Sequence, residues 1–133
     1  MGAVSLSGQI TGIWQNWDDK TGEPKAHIKV YEEGGKYFGK VIKLLPSATV
    51  THCESCEGDR KGQPLVGMNI LWDLEPYEDY YSNGEILDPA SGKIYRLNVT
   101  PKGDELDVRG YIGVSLFGRT QTWTRVKESL STQ

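Results

Sequence analysis

Arg109-Gly-Tyr-Ile-Gly-Val-Ser-Leu-Phe-Gly-Arg-Thr-Gln-Thr-Trp-Thr-Arg-Val126 is the stretch of sequence that decides the fold. Glycines bound its centre, and segments that alternate in polarity flank them, which is typical of two strands joined by a hairpin at 113–118. We interpret the stretch as the last two strands of a closed antiparallel sheet, with the final strand at about 119–127. The pattern therefore indicates architecture more than chemistry.

The rest of the chain repeats this pattern of short alternating segments separated by turn residues. In the second segment, for example, Ala26, Ile28 and Val30 face one way, and Glu33-Gly34-Gly35 then supplies the positive φ of a tight hairpin turn. Further turns are predicted at Ser82-Asn83-Gly84, 88–92 and 101–104. The remaining predicted strands are 9–15, 25–32, 36–45, 65–75, 85–87, 93–100 and 105–112.

About eight antiparallel strands in one domain of 133 residues need a way to protect their edges, and closing the sheet on itself removes them. We predict an all-β fold, a single antiparallel up-and-down barrel that spans 1–133, with flexible ends at 1–8 and 128–133. An immunoglobulin-like sandwich is the alternative, but the short hairpin links favour the barrel. Such a barrel has room for side chains or for one small ligand.

Composition and charge narrow the function classes. A formal net charge of −3 offers no basic surface for phosphates, so no nucleic-acid partner is expected. No apolar run approaches the roughly 20 residues that span a bilayer, so no membrane insertion is expected. The start of the chain lacks the basic and apolar regions of a signal peptide, which leaves a cytoplasmic protein or a removed signal as alternatives.

Several multi-residue motifs, in order along nearly the whole chain, resemble the bacterial family of unknown function DUF2147. The resemblance implies an exported protein, periplasmic or secreted, whose signal peptide is missing from this chain, and it supplies no catalytic residues. The motifs are Thr11-Gly-Ile-Trp14, Asp18-Asp-Lys-Thr-Gly-Glu-Pro-Lys25, Cys53-Glu-Ser-Cys56, Lys61-Gly-Gln-Pro64, Gly84-Glu-Ile-Leu-Asp-Pro89 with Gly92-Lys-Ile-Tyr95, and Arg109-Gly-Tyr-Ile-Gly113 with Gly118-Arg-Thr-Gln-Thr-Trp123.

The two ends of the predicted sheet are also similar to those of calycins, the group that includes the lipocalins. The calycin first strand carries Gly-x-Trp, as Gly12 and Trp14 do here, and an arginine near the last strand packs across that tryptophan. Arg125 or Arg119 could take this part, because first and last strands are neighbours in a closed meander. We therefore predict a structural seam of Gly12, Trp14, Trp123 and Arg125. The alternative is an ordinary core tryptophan and a surface arginine.

Cys53 and Cys56 form a C-x-x-C pair in a long polar loop. A redox site of the thioredoxin kind needs a helix N-terminus in an α/β fold, and a zinc site needs a fourth ligand beside His52 and the two cysteines. A local disulfide is the favoured interpretation if the protein is exported. We predict no catalytic residues, no metal and no cofactor.

Alternation on the late strands brings Arg96, Arg109 and Tyr111 to one polar face. If this face lines the barrel, the three make a ligand-binding clamp for an anion or carboxylate; the alternative is an outward, solvated face. The predicted function is a binding module for a small or amphipathic ligand, with no identified protein partner. The alternatives are an envelope interaction module, which could dock a partner through the tyrosines at 77–81, and a thiol-redox enzyme that uses Cys53 and Cys56.

Overall fold

Antiparallel strands close into a barrel in the computed structural model, which describes residues 9–112 and 118–127. Each strand pairs with the next, and the last pairs with the first, which confirms the predicted up-and-down barrel. The expected ends at 1–8 and 128–133 and most of the 113–118 hairpin lie outside the described residues. The strands are β1 (Gly12–Trp17), β2 (Pro24–Glu33), β3 (Lys36–Leu44), β4 (Asn69–Tyr77), β5 (Tyr80–Asp88), β6 (Lys93–Lys102), β7 (Glu105–Tyr111) and β8 (Arg119–Arg125).

Side-chain alternation builds the interior as the sequence predicts. Ala26, Ile28 and Val30 on β2 are all buried, whereas the intervening Lys29 is exposed. At the end of this strand, Gly34 and Gly35 have φ values of 63° and 84°, which confirms the predicted hairpin turn. Because alternate side chains of a strand point to the same face, these three β2 residues join one continuous core.

The β5 strand begins earlier than the sequence indicates. Ser82-Asn83-Gly84 is not a turn: it lies inside β5, where the pairing with β6 shifts register and Asn83 has a φ of 64°. The same residue types that make turns also make β-bulges, since both need positive φ. The tyrosines at 77–81 do not share one exposed segment, because β4 and β5 meet there in a tight turn that leaves Tyr81 on β5 and fully buried.

Trp72 is less buried than Trp14 and Trp123. Trp14 and Trp123 are buried, whereas Trp72 is only partly buried and its indole N–H donates to Glu85 Oε1 at 3.0 Å. Arg60 stacks on the Trp72 ring, with its guanidinium carbon 4.7 Å from the ring centroid. These polar partners hold the indole at the surface of the barrel. The neighbouring Leu71 points to the opposite face of the strand and fills the interior.

Candidate ligand-binding cavity

The barrel is filled at one end and hollow at the other. At the filled end, Tyr37 and Tyr81 pack edge to face with ring centroids 5.2 Å apart. The Trp14 indole N–H donates to the Ile10 carbonyl at 3.0 Å, which holds the segment before β1 across this end. Ile10 is itself almost fully buried. These large side chains leave the opening to the opposite end, where β1 ends and β8 begins.

A seam of side chains joins β1 to β8 at the filled end. The guanidinium carbon of Arg125 lies 4.3 Å from the centroid of the Trp14 ring. Its Nη1 and Nη2 donate to the carbonyls of Thr11 and Gln9 at 3.0 and 3.1 Å. A Cβ at position 12 would lie 2.6 Å from Arg125 Nη1, so Gly12 makes room for the guanidinium. The four predicted seam residues therefore include one stacked pair, Trp14 and Arg125, with Gly12 against it.

A cavity of about 570 Å³ occupies the other end. Its volume lies within the range of small-molecule sites, roughly 300–1,000 Å³. Strand residues form most of its wall, and Trp123 on β8 is part of it. The apolar wall includes Ala26, Val41, Leu44, Ile70, Ile86 and Val108.

A disulfide-stapled segment between β3 and β4 covers part of the cavity mouth. Cys53 and Cys56 form a disulfide with a Cα–Cα distance of 5.3 Å, and both are buried. This setting does not match a redox site of the thioredoxin kind, because both sulfurs are buried and the chain after Cys56 forms only a three-residue 3-10 helix, Gly58–Arg60. The segment also contributes Val50 and Leu65 to the cavity wall, and Ser47 bonds the Pro24 carbonyl.

The stapled segment packs directly on the turn between β5 and β6. A Cβ at position 92 would lie 2.0 Å from the Ser55 carbonyl oxygen, so only glycine permits this approach. The Sγ of Cys53 lies 3.8 Å from the Pro89 carbonyl oxygen. Pro89 also lines the cavity, so the disulfide helps to position one rim of its mouth.

The charged groups of the mouth are largely engaged by the protein. The backbone N–H groups of Thr21 and Lys20 donate to Asp18 Oδ1 and lower the pKa of this carboxyl, and the nearby charge of Lys25 adds to the effect. Arg119 Nη1 lies 3.1 Å from Asp19 Oδ2. The mouth is therefore polar without a concentrated charge of either sign.

Asn16 and Gln121 are polar side chains of the cavity lining. Both Asp19 carboxylate oxygens accept from Gln121 Nε2, at 3.0 and 2.9 Å. Asn16 follows Trp14 by two residues on β1 and lines the cavity, and its Oδ1 is buried with no hydrogen-bond partner within residues 9–112 and 118–127. An amide oxygen in that state is costly, which marks Asn16 as a candidate contact for a ligand.

The structure separates the three residues of the predicted anion clamp. Tyr111 lines the cavity. Arg96 is exposed, and Arg109 Nη1 donates to Thr120 at 3.1 Å; neither arginine lines the cavity. The interior positions on β6 belong to Leu97 and its neighbours of the same alternation. Binding of a ligand by the two arginines stays a prediction.

Sequence reasoning missed Asn16 and Lys25 as cavity residues. The signal for Asn16 was present, because it shares the alternation of the inward-facing Trp14. No comparable signal existed for Lys25, which lies where the register of β1 and β2 shifts between Asn16 and Trp17. At such an irregularity the two-residue period no longer tells which face a side chain takes.

The described residues give little support for a metal or a membrane helix. Within 9–112 and 118–127, His, Cys, Asp and Glu side chains form no group of three or more that could hold a metal ion. A helix long and apolar enough to cross a membrane is likewise absent from these ranges.

The fold and the hollow end define the class of the protein, a lipocalin-like barrel. The structure is similar to that of protein HP1028 from Helicobacter pylori, which belongs to the lipocalin family, with a TM-score of 0.80 and 19% sequence identity. The match covers 98% of this chain and 88% of that chain. The chain belongs to the bacterial family DUF2147, whose model, described as an uncharacterized protein conserved in bacteria, matches residues 12–125. A search of the curated proteins finds no match.

Proposed function

We propose that the protein binds a small, largely apolar ligand inside the barrel. The observation that carries the proposal is the cavity of about 570 Å³ at one end of a barrel whose other end is tightly filled. Apolar walls with a few polar groups are typical of small-molecule sites, because burial drives binding and the polar groups fix orientation. The likeness to a lipocalin-family structure supports the same function.

A fluorescent probe tests this proposal directly. N-phenyl-1-naphthylamine is expected to bind the protein with increased emission and to accept excitation energy from Trp123 in the cavity wall. Ala26→Phe places a ring in the cavity and should weaken probe binding at least tenfold. Ile94→Phe is the matched control, because Ile94 is exposed on β6 and should leave binding unchanged.

Thermal unfolding of both variants shows whether each is folded before binding is measured. A Val41→Phe variant offers a second filled cavity if Ala26→Phe does not fold. Wild-type protein that does not bind the probe, or filled variants that bind it as well as the Ile94→Phe control does, would contradict the proposal.

We also propose that the protein works in an oxidising compartment outside the cytoplasm. The buried Cys53–Cys56 disulfide supports this location, since disulfides persist in such compartments and are rare in the cytosol. Cell fractionation of the native host tests it, with thiol labelling of the denatured protein as the second measurement. A cytoplasmic protein with two labelled thiols would refute it.

A further inference from the structure

We propose that the ligand of this cavity is neutral: an apolar body that carries one uncharged hydrogen-bonding group, a hydroxyl or an amide, which is recognised by Asn16. The inference rests on the proposed binding function and narrows it to a ligand class. It is the opposite of the anion clamp expected from the arginines of β6 and β7.

The charges that line the cavity argue against a carboxylate ligand. They are two carboxylates, Asp18 and Asp88, and two cations, Lys25 and Arg119, so the lining has no net charge. Arg119 is paired with Asp19 and its side chain is 76% exposed, which places its charge in solvent rather than in the cavity. Lys25 lies close enough to Asp18 for its charge to lower the pKa of that carboxyl, so an anion in the cavity would lose its hydration and still share this cation with Asp18, which is costly.

The arginine nearest the core is not available to a ligand either. Arg125 lies at the filled end, where its guanidinium stacks on Trp14. Two of its nitrogens already donate to the carbonyls of Thr11 and Gln9. A deep carboxylate would have to break these contacts, and with them the seam between β1 and β8.

Asn16 offers a hydrogen-bond acceptor to a neutral polar group of the ligand. Its Oδ1 is buried and has no donor in the described structure, and Asn16 is part of the cavity lining. The terminal torsion of an asparagine is soft, so a modest rotation turns the oxygen toward a donor in the cavity. Gln121 is less available, since its Nε2 donates to both Asp19 oxygens and its Oε1 accepts from Trp123 Nε1 at 3.5 Å.

The wall beside Asn16 accommodates the apolar body. Its cross-strand neighbour on β2 is Ala26, whose small side chain leaves space next to the amide. Val41 and Val108 continue the apolar surface of the cavity. A hydroxyl or an amide N–H of the ligand would thus bond Oδ1 while its hydrocarbon part displaces water from this wall.

Displacement of bound N-phenyl-1-naphthylamine by three ligands of equal chain length tests the inference. We expect decan-1-ol and decanamide to displace the probe at concentrations about tenfold lower than sodium decanoate at neutral pH. Asn16→Leu should weaken the alcohol and the amide by about five- to tenfold, which corresponds to one buried hydrogen bond, and leave the probe itself bound.

Asn98→Leu is the matched control, because Asn98 belongs to β6 and is not part of the cavity lining. Asn16→Ala provides a second variant if the leucine variant does not fold. Decanoate that displaces the probe as well as or better than the neutral ligands would overturn the inference and leave the binding function intact. If Lys25→Met then removed that advantage, the lysine at the mouth would be the head-group site. Failure of the probe to bind wild-type protein would refute the binding function itself.

Discussion

Replacing Arg125 by methionine should remove most of the stabilisation that joins β1 to β8. The change deletes the guanidinium over Trp14 and the two hydrogen bonds to the carbonyls of Gln9 and Thr11, but keeps an apolar stem of similar length. The stacked pair contributes about 1 kcal/mol, and hydrogen bonds from a charged donor contribute about 1.5–3 kcal/mol each. Because the side chain is 26% exposed, water recovers part of this, and we expect a loss of about 3–5 kcal/mol.

Urea unfolding followed by tryptophan fluorescence measures this loss, and the slope of the transition shows whether unfolding stays two-state. Arg125→Lys should recover about half of the stability, because an ammonium keeps the charge but not the planar fork. Arg119→Met is the matched control on the same strand: this side chain is 76% exposed, so we expect a change below about 0.5 kcal/mol. A loss below about 1 kcal/mol for Arg125→Met, or equal losses for the two methionine variants, would refute the reasoning.

Three further outcomes can be checked on the same molecule. Burial raises the pKa of Tyr81 to about 12 from 10.0, so the contribution of the neutral phenol to stability is complete below pH 10 and is lost as pH rises toward 12. The free energy of unfolding of wild type should therefore fall by about 1.4 kcal/mol more than that of Tyr81→Phe between pH 9 and pH 11. Equal losses for the two proteins in urea unfolding would contradict this. Gly84→Ala should lower the free energy of unfolding by about 1–3 kcal/mol, because the new methyl would lie 2.7 Å from Leu74 Cγ. An unchanged midpoint of thermal unfolding would show that Leu74 moves aside without loss of stability. Replacing Cys53 and Cys56 together by alanine should lower the free energy of unfolding by about 2 kcal/mol, the loop-entropy value for so short a ring. A double variant as stable as wild type in calorimetry would show that the disulfide contributes nothing.

Hydrophobic alternation predicted the barrel because each strand buries one face. Ala26, Ile28 and Val30 could be assigned to the core from sequence, since a shift by one residue would expose all three. The bulge at Ser82-Asn83-Gly84 could not, because its composition is also that of a turn. Only the pairing with β6, whose register shifts at these residues, distinguishes the two.

The cavity was less accessible to sequence reasoning than the fold. Alternation tells which side chains point inward but not how much space they leave, and the hollow end arises because Tyr37 and Tyr81 fill only the opposite end. From the sequence we predict a ligand-binding role for Arg96 and Arg109, whereas no motif around Asn16 indicates one. Its importance comes from a buried amide oxygen that has no hydrogen-bond partner among the described residues, a property of the packed structure.

The seam between the first and last strands also bears on how fast the protein folds and unfolds. Its register pairs Trp14 with Arg125 and Gln15 with Thr124, residues near opposite ends of the chain. Contacts so distant in sequence carry a large loop-closure entropy until the strands between them are paired. We therefore expect the seam to form after the folding transition state, so that its loss accelerates unfolding and leaves the folding rate nearly unchanged. Arg125 would then set the lifetime of the closed barrel rather than the speed with which it is made.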